Sequence, residues 1–162
     1  AEVELIEIPK RESRVKLGID KLWDKYDYIF FDCPPSLGLI TINALTASDT
    51  FLVPVQCEFY ALEGLAQLMA TVPQVKRLYN PHIDLAGVLQ TMYDGRLNLT
   101  QQVVTEIKKF FPNKVYKTTI PRNVRLSEAP SFGEPIMYYD KHSKGALAYD
   151  AFADEFLSQQ KR

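Results

Sequence analysis

YIFFDCPPSLG, residues 28–38, joins an unbroken apolar run to an aspartate, two prolines and a turn of small residues. The run Tyr28–Cys33 shows no polar alternation, so it reads as a strand buried on both faces, the pattern of parallel sheets. Pro34 and Pro35 cannot continue a ladder and end it. A helix is expected next over Leu39–Ala47, then a second buried strand over Thr50–Val55. Further out, Ala61–Leu78 reads as a long helix with Leu62, Leu65, Met69, Val72 and Tyr79 on one face, and Pro73 is expected to kink or divide it. Ile83–Thr91 is a third strand. Gln102–Phe111 is a helix with Val103, Val104, Ile107 and Phe111 as its buried stripe, and Val115–Ile120 is a short strand. A polar, proline-interrupted stretch follows over 121–135. The last helix turns Ala148, Phe152 and Phe156 inward. Upstream, Val15, Ile19, Leu22, Trp23 and Tyr26 recur at helical spacing within 10–25, while VELIEI (3–8) fits neither period. Strands alternating with helices predict an α/β fold, a mostly parallel sheet flanked by helices, in one compact domain over residues 1–162.

The bulk composition narrows the function classes. With 162 residues and 46% hydrophobic content, one domain has enough apolar material for a core. A net charge of −1 gives no global affinity for nucleic acid, so any such binding needs a local patch. No apolar stretch reaches the ~20 residues of a membrane span. The charged opening AEVELIEIPKRES is unlike a signal peptide. Cys33 and Cys57 lack CxxC spacing and read as reduced thiols, and His82 and His142 stand apart from any ligand partner. The bulk reading is a soluble intracellular protein.

Chemistry is expected where a parallel sheet binds ligands, beyond the carboxyl ends of its strands. Asp32 stands at such an end, where a carboxylate can hold Mg²⁺ through water. Ser36 and Leu37 are expected to open a helix whose unpaired N–H groups favour an anion. Together these make the second half of a nucleoside-triphosphate site. A turn or helix-entry role for Asp32 is the open alternative, since receiver and dinucleotide folds also carry strand-end aspartates.

Three blocks then carry a resemblance. DYIFFDCPPSLGLITINALTASDTFLVPVQCEFYALEGL (27–65), TMYDGRLNLTQQV (91–103) and IPRNVRLSEAPSFGEPI (120–136) closely resemble ParA/Soj chromosome- and plasmid-partitioning ATPases, deviant-Walker P-loop NTPases. The resemblance covers nearly the whole chain. It implies that Asp32 is the Walker B acid orienting Mg²⁺, and that Pro34, Pro35, Ser36 and Gly38 form the switch sensing the γ-phosphate. It implies that adenine lies near Met92, Pro121 and Asn123, with Met92 equally readable as core filling. It implies that Arg96 and Arg125 bind DNA phosphates without sequence preference, against the alternative of solvated surface arginines. Lys108, Lys109, Lys114 and Lys117 would add to the same positive field.

No GxxxxGK[ST] motif occurs in these residues. By the resemblance, that loop and the first switch lie upstream, so the chain reads as a C-terminal portion. Alone, it is expected neither to bind ATP tightly nor to hydrolyse it, because a P-loop backbone and lysine supply most of the phosphate ligands. The family fold also places the loop-bearing strand between Tyr28–Cys33 and Thr50–Val55. Three outcomes are expected without it: the strand comes from another chain, the flanking strands close up, or subunits exchange elements. The implied parent is a cytoplasmic, nucleoid-associated ATPase that binds ATP and Mg²⁺, forms a nucleotide-sandwich dimer on DNA and answers to a ParB-type partner, with no membrane role. Two alternatives stand beside it: a non-enzymic DNA- or partner-binding module, and a MinD-like cell-division regulator. The mixed charge of the terminal DEFLSQQKR and the PRNVRLSEAP match disfavour the latter.

Overall fold

The structure, a computed structural model, describes residues 7–58 and 60–160. Residues 3–6 of the ambiguous VELIEI lie outside them. The described chain has ten elements besides short 3₁₀ turns: α1 (Arg14–Ile19), α2 (Leu39–Ala47), β1 (Thr50–Gln56), α3 (Ala61–Leu78), β2 (Asp84–Tyr93), α4 (Asn98–Phe110), β3 (Val115–Pro121), α5 (Val124–Glu128), α6 (Ile136–Tyr139) and α7 (Lys144–Gln160). The strands form one sheet in the order β1-β2-β3. β2 and β3 are parallel, with Val88 opposite Val115, Gln90 opposite Thr119 and Tyr93 opposite Pro121, and with irregularities between these pairs. Helical crossovers α3 and α4 join successive strands, as parallel neighbours require. The architecture is the expected parallel sheet flanked by helices. The contacts group the chain into two compact units, one formed by residues 1–51 and 66–86 and the other by 52–65 and 87–162.

In the first unit two buried asparagines tie segments together. Asn43 on α2 is fully buried. Its Nδ2 donates to the carbonyls of Arg11 (2.7 Å) and Leu39 (3.0 Å), and its Oδ1 accepts from the Val15 N–H (3.2 Å). This fastens the helical segment from Arg11 to Ile19 onto α2. Asn80 does the same for the end of α2: its Nδ2 donates to the carbonyls of Leu45 (3.0 Å) and Ser48 (2.7 Å). Leu45, Val75 and Ile83 form the apolar core, with Phe51 against them. α3 runs through Pro73 undivided.

Two expectations fail here. Residues 10–25 do not form one helix: a 3₁₀ turn, α1 and a second 3₁₀ turn replace it, and of the apolar stripe Ile19 is buried while Trp23 and Tyr26 are exposed. Among the described residues Tyr28–Cys33 forms no strand of the sheet, with Tyr28 and Phe30 exposed and their rings stacked 6.3 Å apart. An apolar run becomes a doubly buried strand only when strands flank it and layers cover it. Among the described residues β1 has one strand neighbour, β2, so the closing of two strands over a gap is not what the chain does.

The second unit is built on the sheet. Leu89, Tyr116 and Ile120 form its core, covered by Leu52, Leu126, Ala148, Phe152 and Phe156. Tyr116 meets Phe152 edge-on at 5.0 Å. Gly87 makes room for this, because a Cβ there would overlap the Tyr116 ring. On α4, Val103, Val104 and Ile107 are buried as their spacing predicts, together with Thr100. Strand β3 is the last in the sheet order, and Glu155 on α7 covers it: the carboxylate accepts from the backbone N–H groups of Lys117 and Thr118, both at 2.8 Å. Burial works to raise the Glu155 pKa, but the hydrogen bonds from Thr118 and Lys117 outweigh it and hold the carboxyl below its ordinary value.

Candidate functional site

The first unit carries Asp32 and the residues that follow it. Asp32 is exposed on the segment before α2, and its charge helps to keep the neighbouring Cys33 thiol protonated, second to burial. Pro34, Pro35 and Ser36 are exposed. The helix spans Leu39–Ala47 as its sequence predicts, so Ser36 and Leu37 precede it rather than open it, and Gly38 is its N-cap. A side-chain bond ties the preceding segment to it: Thr41 Oγ1 donates to the Ser36 carbonyl at 2.6 Å. The Gly38 carbonyl accepts from Ile42 N–H as the first helical bond.

The second unit gathers the other predicted residues at the carboxyl ends of β2 and β3. The two ends are paired, Tyr93 opposite Pro121, and Arg122 N–H donates to the Tyr93 carbonyl at 3.4 Å. Met92 has φ 50°, a left-handed backbone at a residue with a full side chain, and is 44% exposed. It therefore fills no core. Strained backbone of this kind concentrates at functional loops. Asn123 caps α5, its Oδ1 accepting from Arg125 N–H at 2.9 Å.

Both predicted arginines are exposed, and both are engaged by carboxylates. Asp94 Oδ1 accepts from Arg96 Nε at 2.9 Å and Asp94 Oδ2 from Arg96 Nη2 at 2.6 Å, a two-point fork. Asp94 Oδ1 also accepts from the Arg96 backbone N–H at 3.1 Å. These bonds, first the side-chain pair and then the backbone one, bring the Asp94 pKa down to about 2, with the charges of Arg96 and Arg122 adding to them. Arg125 Nη1 donates to Glu128 Oε2 at 2.9 Å, and its Nε lies 3.4 Å from Asp140 Oδ2. Tyr139 O–H donates to the same Glu128 oxygen at 3.2 Å. Arg122 is exposed, and among the described residues its guanidinium has no partner.

The chain is similar to known proteins in both sequence and fold. A family model described as an AAA domain matches residues 1–85. The chain is 57% identical over 155 residues to the sporulation initiation inhibitor protein Soj of Bacillus subtilis, covering 96% of this chain and 61% of that protein. It is 50% identical to the chromosome partitioning protein ParA of Myxococcus xanthus over 98% of this chain and 56% of that one. The chain belongs to the ParA/Soj family. Among solved structures, cobyrinic acid a,c-diamide synthase from Mycobacterium smegmatis with bound ADP and magnesium superimposes with a TM-score of 0.79 at 34% identity, over 99% of this chain and 58% of that one. The chain thus spans about three-fifths of the length of the ParA/Soj relatives it matches.

For a ParA/Soj chain, sequence reasoning singled out the two arginines but missed the carboxylates that hold them. Asp94, Glu128 and Asp140 went unremarked, as did Arg122 as a third cation at the strand ends. For Asp94 a signal existed: an acid two residues before an arginine in a turn can accept both its backbone and its side-chain donors. Asp140 lies fifteen residues from Arg125 and becomes its neighbour only through the fold.

Proposed function

We propose that the chain is a C-terminal portion, one domain over residues 1–162, of a ParA/Soj-type partitioning ATPase that binds ATP, Mg²⁺ and non-specific DNA as a dimer. The carrying observation is that Arg96, in the turn after β2, and Arg125, on α5 after β3, lie beyond adjacent strand ends, the end at which open parallel sheets hold ligands, beside Met92 with its left-handed backbone. Names borne by similar proteins support the activity, and the ADP and magnesium of the superimposed synthase support the cofactors.

The residues present fit part of such a site. No group of three or more His, Cys, Asp or Glu suited to a metal occurs among the described residues. A cation held by Asp32 would therefore take its remaining ligands from water and phosphate, as Mg²⁺ does. When bound, that ion neutralises charge developing on the transferred phosphoryl group. Asp32 orients it, and Pro34, Pro35, Ser36 and Gly38 respond to the γ-phosphate. Backbone groups around Met92, Pro121 and Asn123 meet the adenine. Arg96 and Arg125 bind DNA phosphate, which fixes no sequence. The partner is a ParB-type centromere-binding protein, the self-contact a nucleotide sandwich, and the location the nucleoid in the cytoplasm. Without a glycine-rich phosphate loop the 162 residues alone hold ATP weakly. The test is ATP hydrolysis by the full-length protein that carries this chain: Asp32→Ala lowers the rate by about two orders of magnitude. An unchanged rate contradicts the assignment.

A further inference from the structure

Arg96 and Arg125 are the groups on which DNA binding rests in this reading, yet neither is available as the structure stands. A phosphate is bound best through the two-point edge of a guanidinium. On Arg96 that edge, Nε and Nη2, is filled by Asp94 at 2.9 and 2.6 Å. On Arg125 the Nη1 and Nε groups are taken by two different carboxylates, Glu128 at 2.9 Å and Asp140 at 3.4 Å. The acids are better fixed than the arginine they hold. The Arg96 side chain is 88% exposed against 25% for Asp94. Glu128 is anchored by the Tyr139 hydroxyl, and Asp140 Oδ1 accepts from His142 N–H at 3.3 Å. Charge gives the same picture. Arg96, Arg122 and Arg125 contribute three positive charges and Asp94, Glu128 and Asp140 three negative ones, so the cluster is neutral despite three arginines.

We propose that Asp94, Glu128 and Asp140 are internal competitors of DNA phosphate: they occupy Arg96 and Arg125 in the free protein and so set how weakly the surface holds duplex DNA. This rests on the reading of the two arginines as DNA contacts. A guanidinium swings from carboxylate to phosphate by rotation of its exposed side chain, with no change in fold. The carboxylate left behind stays near the phosphate and repels it. Affinity is thereby kept low enough for release, and removing one acid raises it.

The test measures binding of a fluorescein-labelled random-sequence duplex by the full-length protein, with ATP and Mg²⁺, at several salt concentrations. Asp94→Asn keeps the acceptor for the Arg96 backbone N–H, and Glu128→Gln keeps the acceptor for Tyr139, so the loops remain folded. Each is expected to tighten binding about two- to five-fold, with the gain fading as salt rises. In an Arg96→Ala background the Asp94→Asn gain shrinks, since the competitor has lost the group it competes for. Asp154→Asn on α7 makes the same change in net charge and is expected to leave affinity within experimental error. Weaker or unchanged binding by Asp94→Asn and Glu128→Gln overturns the inference and makes the acids positioning residues that hold the arginines ready. If Arg96→Ala and Arg125→Ala bind as well as wild type, the underlying DNA reading falls instead.

Discussion

At the scale of single residues, the backbone of Met92 marks an irregular, constrained end of strand β2. A left-handed φ of 50° costs an ordinary L-residue about 1–2 kcal/mol, and a β-branched residue more. Met92→Val is therefore expected to destabilise the protein by about 1–2 kcal/mol, whereas Met92→Gly stays within about 1 kcal/mol of wild type, relief of strain offsetting the added freedom of the unfolded chain. Urea denaturation distinguishes the two, and equal losses would mean that the side chain rather than the backbone matters. Gly87 poses the opposite case. Its φ is ordinary, but a methyl group there meets the Tyr116 ring, which Phe152 holds in place. Gly87→Ala is expected to cost about 1–3 kcal/mol through displacement of that ring, and near-UV circular dichroism of the tyrosines reports the displacement directly.

At the scale of elements, Glu155 shows how a helix protects a sheet edge. Two backbone N–H groups of β3 that would otherwise seek a partner are satisfied by one carboxylate. Glu155→Gln is expected to destabilise by about 1–2 kcal/mol at neutral pH. The folded-state pKa lies below the ordinary value of 4.5. The contribution is thus fully present above that value and is lost as pH falls through the folded pKa. Wild type and variant should therefore converge in acid, and a gap independent of pH would show that the bonds, not the charge, matter.

The elements also show what a sequence can tell. Helices α2 and α3 were legible to the residue in their bounds. The stripe Ala148, Phe152 and Phe156 on α7 was legible as well. Tyr28–Cys33 was misread because its apolarity was taken as burial, and burial depends on neighbours that periodicity does not record. Helix α5 was hidden in a polar, proline-interrupted stretch, where a five-residue helix has no periodicity to show and only the Asn123 cap marks it. Asn43 and Asn80, the staples of the first unit, looked like ordinary polar residues. Their partners lie up to 35 positions away. The candidate arginines were reached through resemblance, while their carboxylate partners needed three dimensions.

At the scale of the molecule, the candidate residues fall into two units. The first presents Asp32 on the segment before α2, and the second presents Met92, Pro121 and the arginines at or just beyond paired strand ends. A chain of net charge −1 that binds DNA needs a local patch of cations to do so, and the number of phosphates engaged then fixes the salt dependence. The most direct test is the slope of log affinity against log salt for random-sequence duplex, measured on the full-length protein with ATP and Mg²⁺. Replacing Arg96 and Arg125 together by alanine is predicted to make that slope shallower by about two and to weaken binding equally for all sequences. An unchanged slope and affinity would contradict the account.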